Sequence, residues 1–125
     1  MNGFPICILI DDDPLDIFIN TKVLKSNNFA SELIVCKNGD EALDLLRDNK
    51  VIPDMIFLDI RMPVMDGFQF LEEYDKLSID KGHTKIVMLS STVNPVDIER
   101  AKTHKYITRF LDKPLTTDSL MLLTM

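Results

Sequence analysis

No run of about 18 apolar residues occurs in this sequence, so no membrane-spanning helix is expected. The start of the chain lacks a basic segment followed by a long apolar one, so no secretion signal is expected and the cytoplasm is the default location. Cysteine is scarce. Cys7 and Cys36 both sit inside apolar runs, where they read as small buried hydrophobes in a reducing compartment. The two histidines, His83 and His104, have polar neighbours and none of the company a metal site of nitrogen and sulfur ligands requires. Positive charge is in deficit, with 14 Lys+Arg against 20 Asp+Glu for a net of −6, so direct nucleic-acid binding is not expected. There is no internal repeat, low-complexity segment or linker, no helix-turn-helix, and no phosphate loop of the GxxxxGKS/T kind.

What remains is a globular composition: 125 residues, 46% hydrophobic and 27% charged, enough to bury one core without disulfides. One domain over residues 1–125 is expected. Five apolar runs have strand length: FPICILI (4–10), ELIVC (32–36), PDMIFLD (53–59), TKIVMLSS (84–91) and ITRFLD (107–112). Between and after them lie helical segments over 14–28, 39–50, 68–79, Asn94 to about Tyr106, and 115–125. Pro14 suits a first helical turn. Asn38 is a candidate cap, Asn94 and Pro95 open the fourth helix, and Thr117 or Asp118 lies near the start of the last. IRMPVMDG (60–67) reads as loop. Near-continuous apolar strands suit a parallel sheet buried on both faces, and right-handed crossovers place helices on both sides. The expected fold class is α/β, a doubly wound five-stranded parallel sheet.

The segment ILIDDDPLD (8–16) runs from an apolar strand straight into three aspartates, whose adjacent charges repel. In an open parallel sheet, ligands bind outside the carboxyl ends of the strands. Asp11, Asp12 and Asp13 follow the first strand, Asp59 ends the third, Ser90 and Ser91 end the fourth, and Lys113 follows the fifth. One aspartate at a strand end is ordinarily a turn or cap residue; four strands agreeing define a candidate site. Carboxylates gathered within a few ångströms cannot all stay ionised without a cation. Oxygen-only ligands select a hard ion, and Mg2+ both suits a site that keeps waters and neutralises phosphoryl oxygens. Asp59, alone at the end of a central strand, is the candidate nucleophile for an aspartyl-phosphate. Asp11 and Asp12 are the candidate metal cradle. Lys113 can offer a point charge and Ser90 a hydroxyl to a phosphoryl group. Asp13 reads as the helix cap ahead of Pro14 and Leu15.

The segments ILIDDD, MIFLDIRMPVMDG, IVMLSS and FLDKP, in this order and spacing, resemble the CheY-like receiver domain of bacterial response regulators, the partners of sensor histidine kinases. The resemblance covers essentially the whole chain, and LDIRMPVMDG is very specific by itself. It implies the flavodoxin-like strand order 2-1-3-4-5, which CheY shares. It implies that Asp59 accepts a phosphoryl group from the phosphohistidine of a histidine kinase or phosphotransfer protein. The implied Mg2+ ligands are Asp11, Asp12, Asp59 and the backbone carbonyl of Arg61, with Asp12 direct and Asp11 acting largely through water. Lys113 would pair with the phosphoryl group and the acidic cluster, and its bond to Pro114 would be cis. Ser90 would move toward the phosphoryl group, and Phe110, at the aromatic switch position, would then swing inward. Arg61 and Thr92 stand where the family sets the lifetime of the phosphate. The fourth helix, fifth strand and fifth helix would carry the readout to a downstream protein target, and the same surface can pair two copies. Such a domain is a switch and not an enzyme, although it catalyses its own phosphorylation and slow autodephosphorylation. Neither nucleic acid nor membrane is an expected direct partner.

Several positions depart from the pattern or carry a second reading. Ser90 stands where many members have threonine. Phe110 lacks a hydroxyl for the outward hydrogen bond of a tyrosine, and a plain core aromatic is its other reading. Ser91 serves either spacing or a direct hydrogen bond. Arg61 would hinder or orient attacking water. The run Arg100, Lys102, His104 and Lys105 is a solvated face or a surface for an acidic partner. The four apolar residues 120–123 cannot all face one core on a helix, so this surface meets a partner or a second copy, or the natural chain continues. Two rival functions stand beside the switch. One is a receiver fold that binds proteins without being phosphorylated, against which the intact Asp59 and Lys113 weigh. The other is a haloacid-dehalogenase-like phosphatase, whose DxDxT/V signature DDDPL imitates; Leu15 departs from it, and the cap domain and acid-rich end motif are missing.

Overall fold

A computed structural model describes residues 4–124. The parts of the expected domain and last helix that fall on residues 1–3 and 125 lie outside the described residues. Strands β1 (Phe4–Ile10), β2 (Ala30–Cys36), β3 (Met55–Asp59), β4 (Lys85–Ser90) and β5 (Ile107–Asp112) alternate with helices α1 (Pro14–Ser26), α2 (Gly39–Leu46), α3 (Gly67–Asp75), α4 (Pro95–Thr103) and α5 (Thr117–Leu123). All four pairings are parallel. The order is β2-β1-β3-β4-β5, as the resemblance implied.

The alternation of the pleat divides the core in two. Ile8, Ile10, Ile56, Leu58, Ile86 and Met88 point to one face, where Leu43, Phe70, Tyr74 and Ala101 cover them. Cys7, Leu9, Met55, Phe57, Val87 and Leu89 point to the other, under Leu24, Leu120 and Leu123. Thus α2, α3 and α4 pack on one side and α1 and α5 on the other. Each fully buried Leu, Ile or Phe contributes about 1.5–3 kcal/mol. Every residue of β3 is buried, which explains its unbroken apolar run. The only buried residues of α4 are Asp97 and Ala101, so little apolar surface anchors it.

The elements form as expected, but several ends shift. α1 stops at Ser26, where Asn27 caps it and Asn28 takes a positive φ of 50°. α2 stops at Leu46 and passes into a 3₁₀ turn, Arg47–Asn49, with Asp48 and Asn49 also at positive φ. β3 starts at Met55, just after Pro53, which has no N–H to give, and Asp54, whose Oδ2 accepts the Ile6 N–H at 2.8 Å. α3 ends at Asp75 and α4 at Thr103, both earlier than the spacing suggests. Thr117 and Asp118 open α5 as expected, and its cap is the preceding Thr116, which forms a reciprocal capping box with Ser119. Asp13, Asn38 and Asn94 cap α1, α2 and α4. Of the apolar run 120–123, Leu120 and Leu123 are buried while Met121 and Leu122 are 51% and 41% exposed.

Cys7 and Cys36 are buried and unpaired. Burial, with Asp54 near Cys7 and Glu41 near Cys36, pushes their thiols up to about 12 and about 11, so both stay protonated and inert. No helix among the described residues is long and apolar enough to cross a membrane.

Candidate functional site

The carboxyl ends of β1, β3, β4 and β5 open into one cleft of about 560 Å³, bordered by Asp12, Asp16, Asp59, Arg61, Ser90, Thr92 and Lys113 among others. A larger groove of about 690 Å³ runs along α1, past Phe18, Lys22 and Val35, but it is apolar and gathers no reactive groups. The chemistry belongs to the acidic cleft.

Each side chain is placed by its strand. The Asp11 N–H donates to Cys36 O at 3.0 Å, continuing the β1–β2 ladder by one residue, and Asp11 is buried. Asp11 Oδ1 accepts the Asp13 N–H at 3.0 Å, while Asp12 projects outward. Asp59 is the last residue of β3, flanked by β1 and β4, and is buried. Gly67 packs directly behind it: a Cβ there would stand 2.5 Å from Asp59 O. The Lys113 N–H donates to Ser90 O at 3.1 Å, which ties the end of β5 to the end of β4. The Lys113–Pro114 bond is cis. Just beyond it the Leu115 N–H donates to the fully buried Asn20 Oδ1 at 2.8 Å, so α1 holds the turn that carries Lys113.

Asp11, Asp12 and Asp59 each bring a carboxylate oxygen to within 4.8 Å of the others. Lys113 Nζ lies 2.8 Å from Asp11 Oδ2, 2.8 Å from Asp16 Oδ2 and 3.2 Å from Asp59 Oδ2. Burial pushes the Asp59 carboxyl up to about 6; Lys113 opposes this and Asp11 adds to it. Burial alone would lower the Lys113 ammonium, but pairing with Asp11, Asp16 and Asp59 outweighs it and raises the pKa. Four carboxylates against one ammonium leave the cleft negative. The donors are all oxygen, the ligand type a hard divalent ion takes, and three of them lie within 4.8 Å of one another. The residues present therefore fit Mg2+.

On the far rim, Ser90 Oγ accepts the Thr92 N–H at 3.0 Å, and Thr92 Oγ1 accepts the Asn94 N–H at 3.1 Å. Ser91 borders the cleft and is exposed. The Arg61 guanidinium donates to Asp97 on α4. Phe110 does not border the cleft. It is half-buried on β5 beside Met88, two residues before Ser90 on the same face. Of the cationic run that starts on α4 and continues past its end, Arg100 stacks 4.1 Å from the Phe68 ring and Lys105 pairs with Asp75 at 3.1 Å, so part of it is occupied within the chain.

Three residues at the site went unnoticed in the sequence. Asp16 sits three residues after the Asp13 cap, so DDDPLD holds a fourth acid whose helical spacing was the available signal. Asn20 is a polar residue inside an apolar helical stripe. Asp97 gave no signal beyond an acid in a first helical turn.

An acidic, lysine-paired cleft at the carboxyl edge of a 2-1-3-4-5 sheet defines a CheY-like class of protein. The chain belongs to the response regulator receiver domain family, whose model matches residues 7–124. Among curated proteins it is 33% identical over 115 residues to the sensor histidine kinase CheAY of Helicobacter pylori, covering 92% of this chain and 14% of that one. It is 28% identical over 109 residues to the two-component response regulator ARR22 of Arabidopsis thaliana, covering 87% and 73%. Against ARR2 of the same plant it spans 16% of the relative's length. Among solved structures, a two-component response regulator from Cytophaga hutchinsonii aligns with a TM-score of 0.87 at 25% identity, covering 98% and 96% of the two chains. A response regulator receiver protein from Dyadobacter fermentans aligns at 0.83 with 33% identity, covering 94% and 93%. Receiver domains are modules of two-component signalling that work with histidine kinases or phosphotransfer proteins.

Proposed function

We propose that this chain is a phosphoacceptor switch, a receiver over residues 1–125 in the cytoplasm, whose Asp59 takes a phosphoryl group from the phosphohistidine of a histidine kinase or phosphotransfer protein. The observation that carries the reading is the meeting of Asp11, Asp12 and Asp59 within 4.8 Å, with Lys113 3.2 Å from Asp59.

An Asp59 oxygen attacks phosphorus, the P–N bond breaks, and the imidazole leaves with its electron pair. With its pKa at about 6, Asp59 is mostly the nucleophilic carboxylate at neutral pH. Asp11, Asp12, Asp59 and the Arg61 carbonyl would hold Mg2+, which when bound neutralises the phosphoryl oxygens during transfer. Lys113 holds one phosphoryl oxygen by charge, and Ser90 donates its hydroxyl to another. The later attack of water breaks the bond between phosphorus and Asp59, releases inorganic phosphate and restores the carboxylate. The domain thus catalyses its own phosphorylation and dephosphorylation, with Arg61 and Thr92 at the rim setting the rate of the second.

Movement of Ser90 toward the phosphoryl group gives up its bond from the Thr92 N–H and opens space along β4, into which Phe110 turns. The exposed Val96, Met121 and Leu122 make the α4, β5 and α5 surface suitable for a downstream protein target or a second copy.

Thermal unfolding with beryllofluoride tests the reading. With Mg2+ present, the fluoride complex should raise the midpoint of the wild type and leave Asp59→Asn unmoved. Equal shifts in both proteins, or a shift without Mg2+, would overturn it.

A further inference from the structure

Asp97 lies in the first turn of α4, yet it is only 8% exposed. Its Oδ2 accepts a hydrogen bond from the Arg61 guanidinium and lies 3.5 Å from Thr92 Oγ1. Arg61 follows β3 and Thr92 follows β4, and both border the cleft that holds Asp59. One carboxylate on α4 therefore holds the side chains of both rim residues. An acid in a first helical turn gains from the helix dipole whichever way it points. That gain does not explain one turned inward and shared between two loops.

We propose that Asp97 is a positioning residue for phosphate hydrolysis: it restrains Arg61 at the rim and competes for that guanidinium with a phosphoryl group on Asp59. The inference rests on Asp59 being the phosphoacceptor. Arg61 is 62% exposed on the side-chain level, so its bond to Asp97 is of modest strength and can be exchanged. A guanidinium prefers the paired oxygens of a phosphoryl dianion to a single carboxylate oxygen. Once released, Arg61 covers the phosphoryl oxygens and hinders the water that would attack phosphorus. While held by Asp97, it leaves that approach open. The exchange also loosens α4. Asp97 then keeps only the distant Thr92 hydroxyl, and α4 retains Ala101, the Arg100 stack on Phe68 and a 4.0 Å contact from Arg100 to Glu72. Phosphate lifetime and the attachment of α4 thus share one ion pair.

The test is the first-order loss of the phosphoryl group, followed by intact mass after labelling with acetyl phosphate and Mg2+ and removal of the donor. Asp97→Asn should slow the loss by about threefold or more, the scale on which contacting residues couple. Asp97→Glu, which keeps the carboxylate, should stay near the wild-type rate. In an Arg61→Ala background, Asp97→Asn should change nothing further. An unchanged or faster loss in Asp97→Asn overturns the inference, as does the same slowing with Arg61 removed, which would make Asp97 merely structural. Those results in a wild type that takes the label leave Asp59 as acceptor; a wild type that takes no label overturns both.

Discussion

Lys113 Nζ stands 3.2 Å from Asp59 Oδ2, and each side chain is only 8% exposed. Breaking this pair from the lysine side leaves Asp11, Asp16 and Asp59 without their cation. Lys113→Met should cost about 3 kcal/mol in urea unfolding at pH 7. The cost should shrink at pH 5, where Asp59 takes up a proton, and Mg2+ should restore part of it at pH 7. A cost that ignores both pH and Mg2+ would contradict the placement of Lys113.

Asp59 itself sets a pH dependence of known sign. Its carboxyl lies at about 6 in the fold against 3.8 in the ordinary case, so the folded state holds this proton more tightly than the unfolded chain. The resulting stabilisation is complete below pH 3.8 and is lost as pH rises through about 6. Without metal, Asp59→Asn should therefore be more stable than wild type at pH 7.5, by a margin on the order of 2 kcal/mol, and should show no advantage at pH 4. Mg2+ affinity runs the opposite way, because the ion needs the carboxylate. Isothermal titration should show binding strengthen across pH 6 in the wild type, with that step absent from Asp59→Asn.

Gly67 is required for lack of room. A Cβ would meet Asp59 O at 2.5 Å and Ile60 Cα at 3.1 Å, both backbone atoms that cannot swing aside. Gly67→Ala should lose about 1–3 kcal/mol of stability and weaken Mg2+ binding by displacing the end of β3. Unchanged unfolding and unchanged metal affinity would show that α3 can retreat freely.

Asn20 acts on the site from behind. Replacing it with alanine removes the acceptor of the buried Leu115 N–H, a loss of about 2 kcal/mol. It also frees the turn that carries Lys113, so labelling by acetyl phosphate should slow in Asn20→Ala more than in a surface control such as Lys22→Ala. Equal labelling rates would mean that the cis turn holds Lys113 unaided.

The residues legible in the sequence were those whose position follows from one strand. Asp11, Asp59, Ser90 and Lys113 each end or follow an apolar run, and the parallel sheet brings such ends together whatever the loops do. Helix ends were less legible. RDNK is compatible with a continuing helix in sequence, but the chain leaves helical geometry at Asp48 and Asn49. The start of β3 is hard to read because Pro53 and Asp54 adjoin its apolar run, and Asp54 bonds to Ile6 within β1 although it lies outside β3. The start of α5 at Thr117 is legible, but its cap is not: Thr116 is singled out only by its reciprocal bond with Ser119. Asp16, Asn20 and Asp97 share a different cause. Each works through a partner distant in sequence, Lys113, Leu115 and Arg61 respectively, and no local pattern announces such a pair.

Intact mass after incubation with acetyl phosphate and Mg2+ tests the central claim most directly, with wild type, Asp59→Asn and Lys113→Ala side by side. Metal-dependent uptake of a single phosphoryl group by the wild type, abolished in Asp59→Asn and strongly reduced in Lys113→Ala, is the predicted result. Undiminished uptake in Asp59→Asn, or no uptake by a folded wild type, would contradict it.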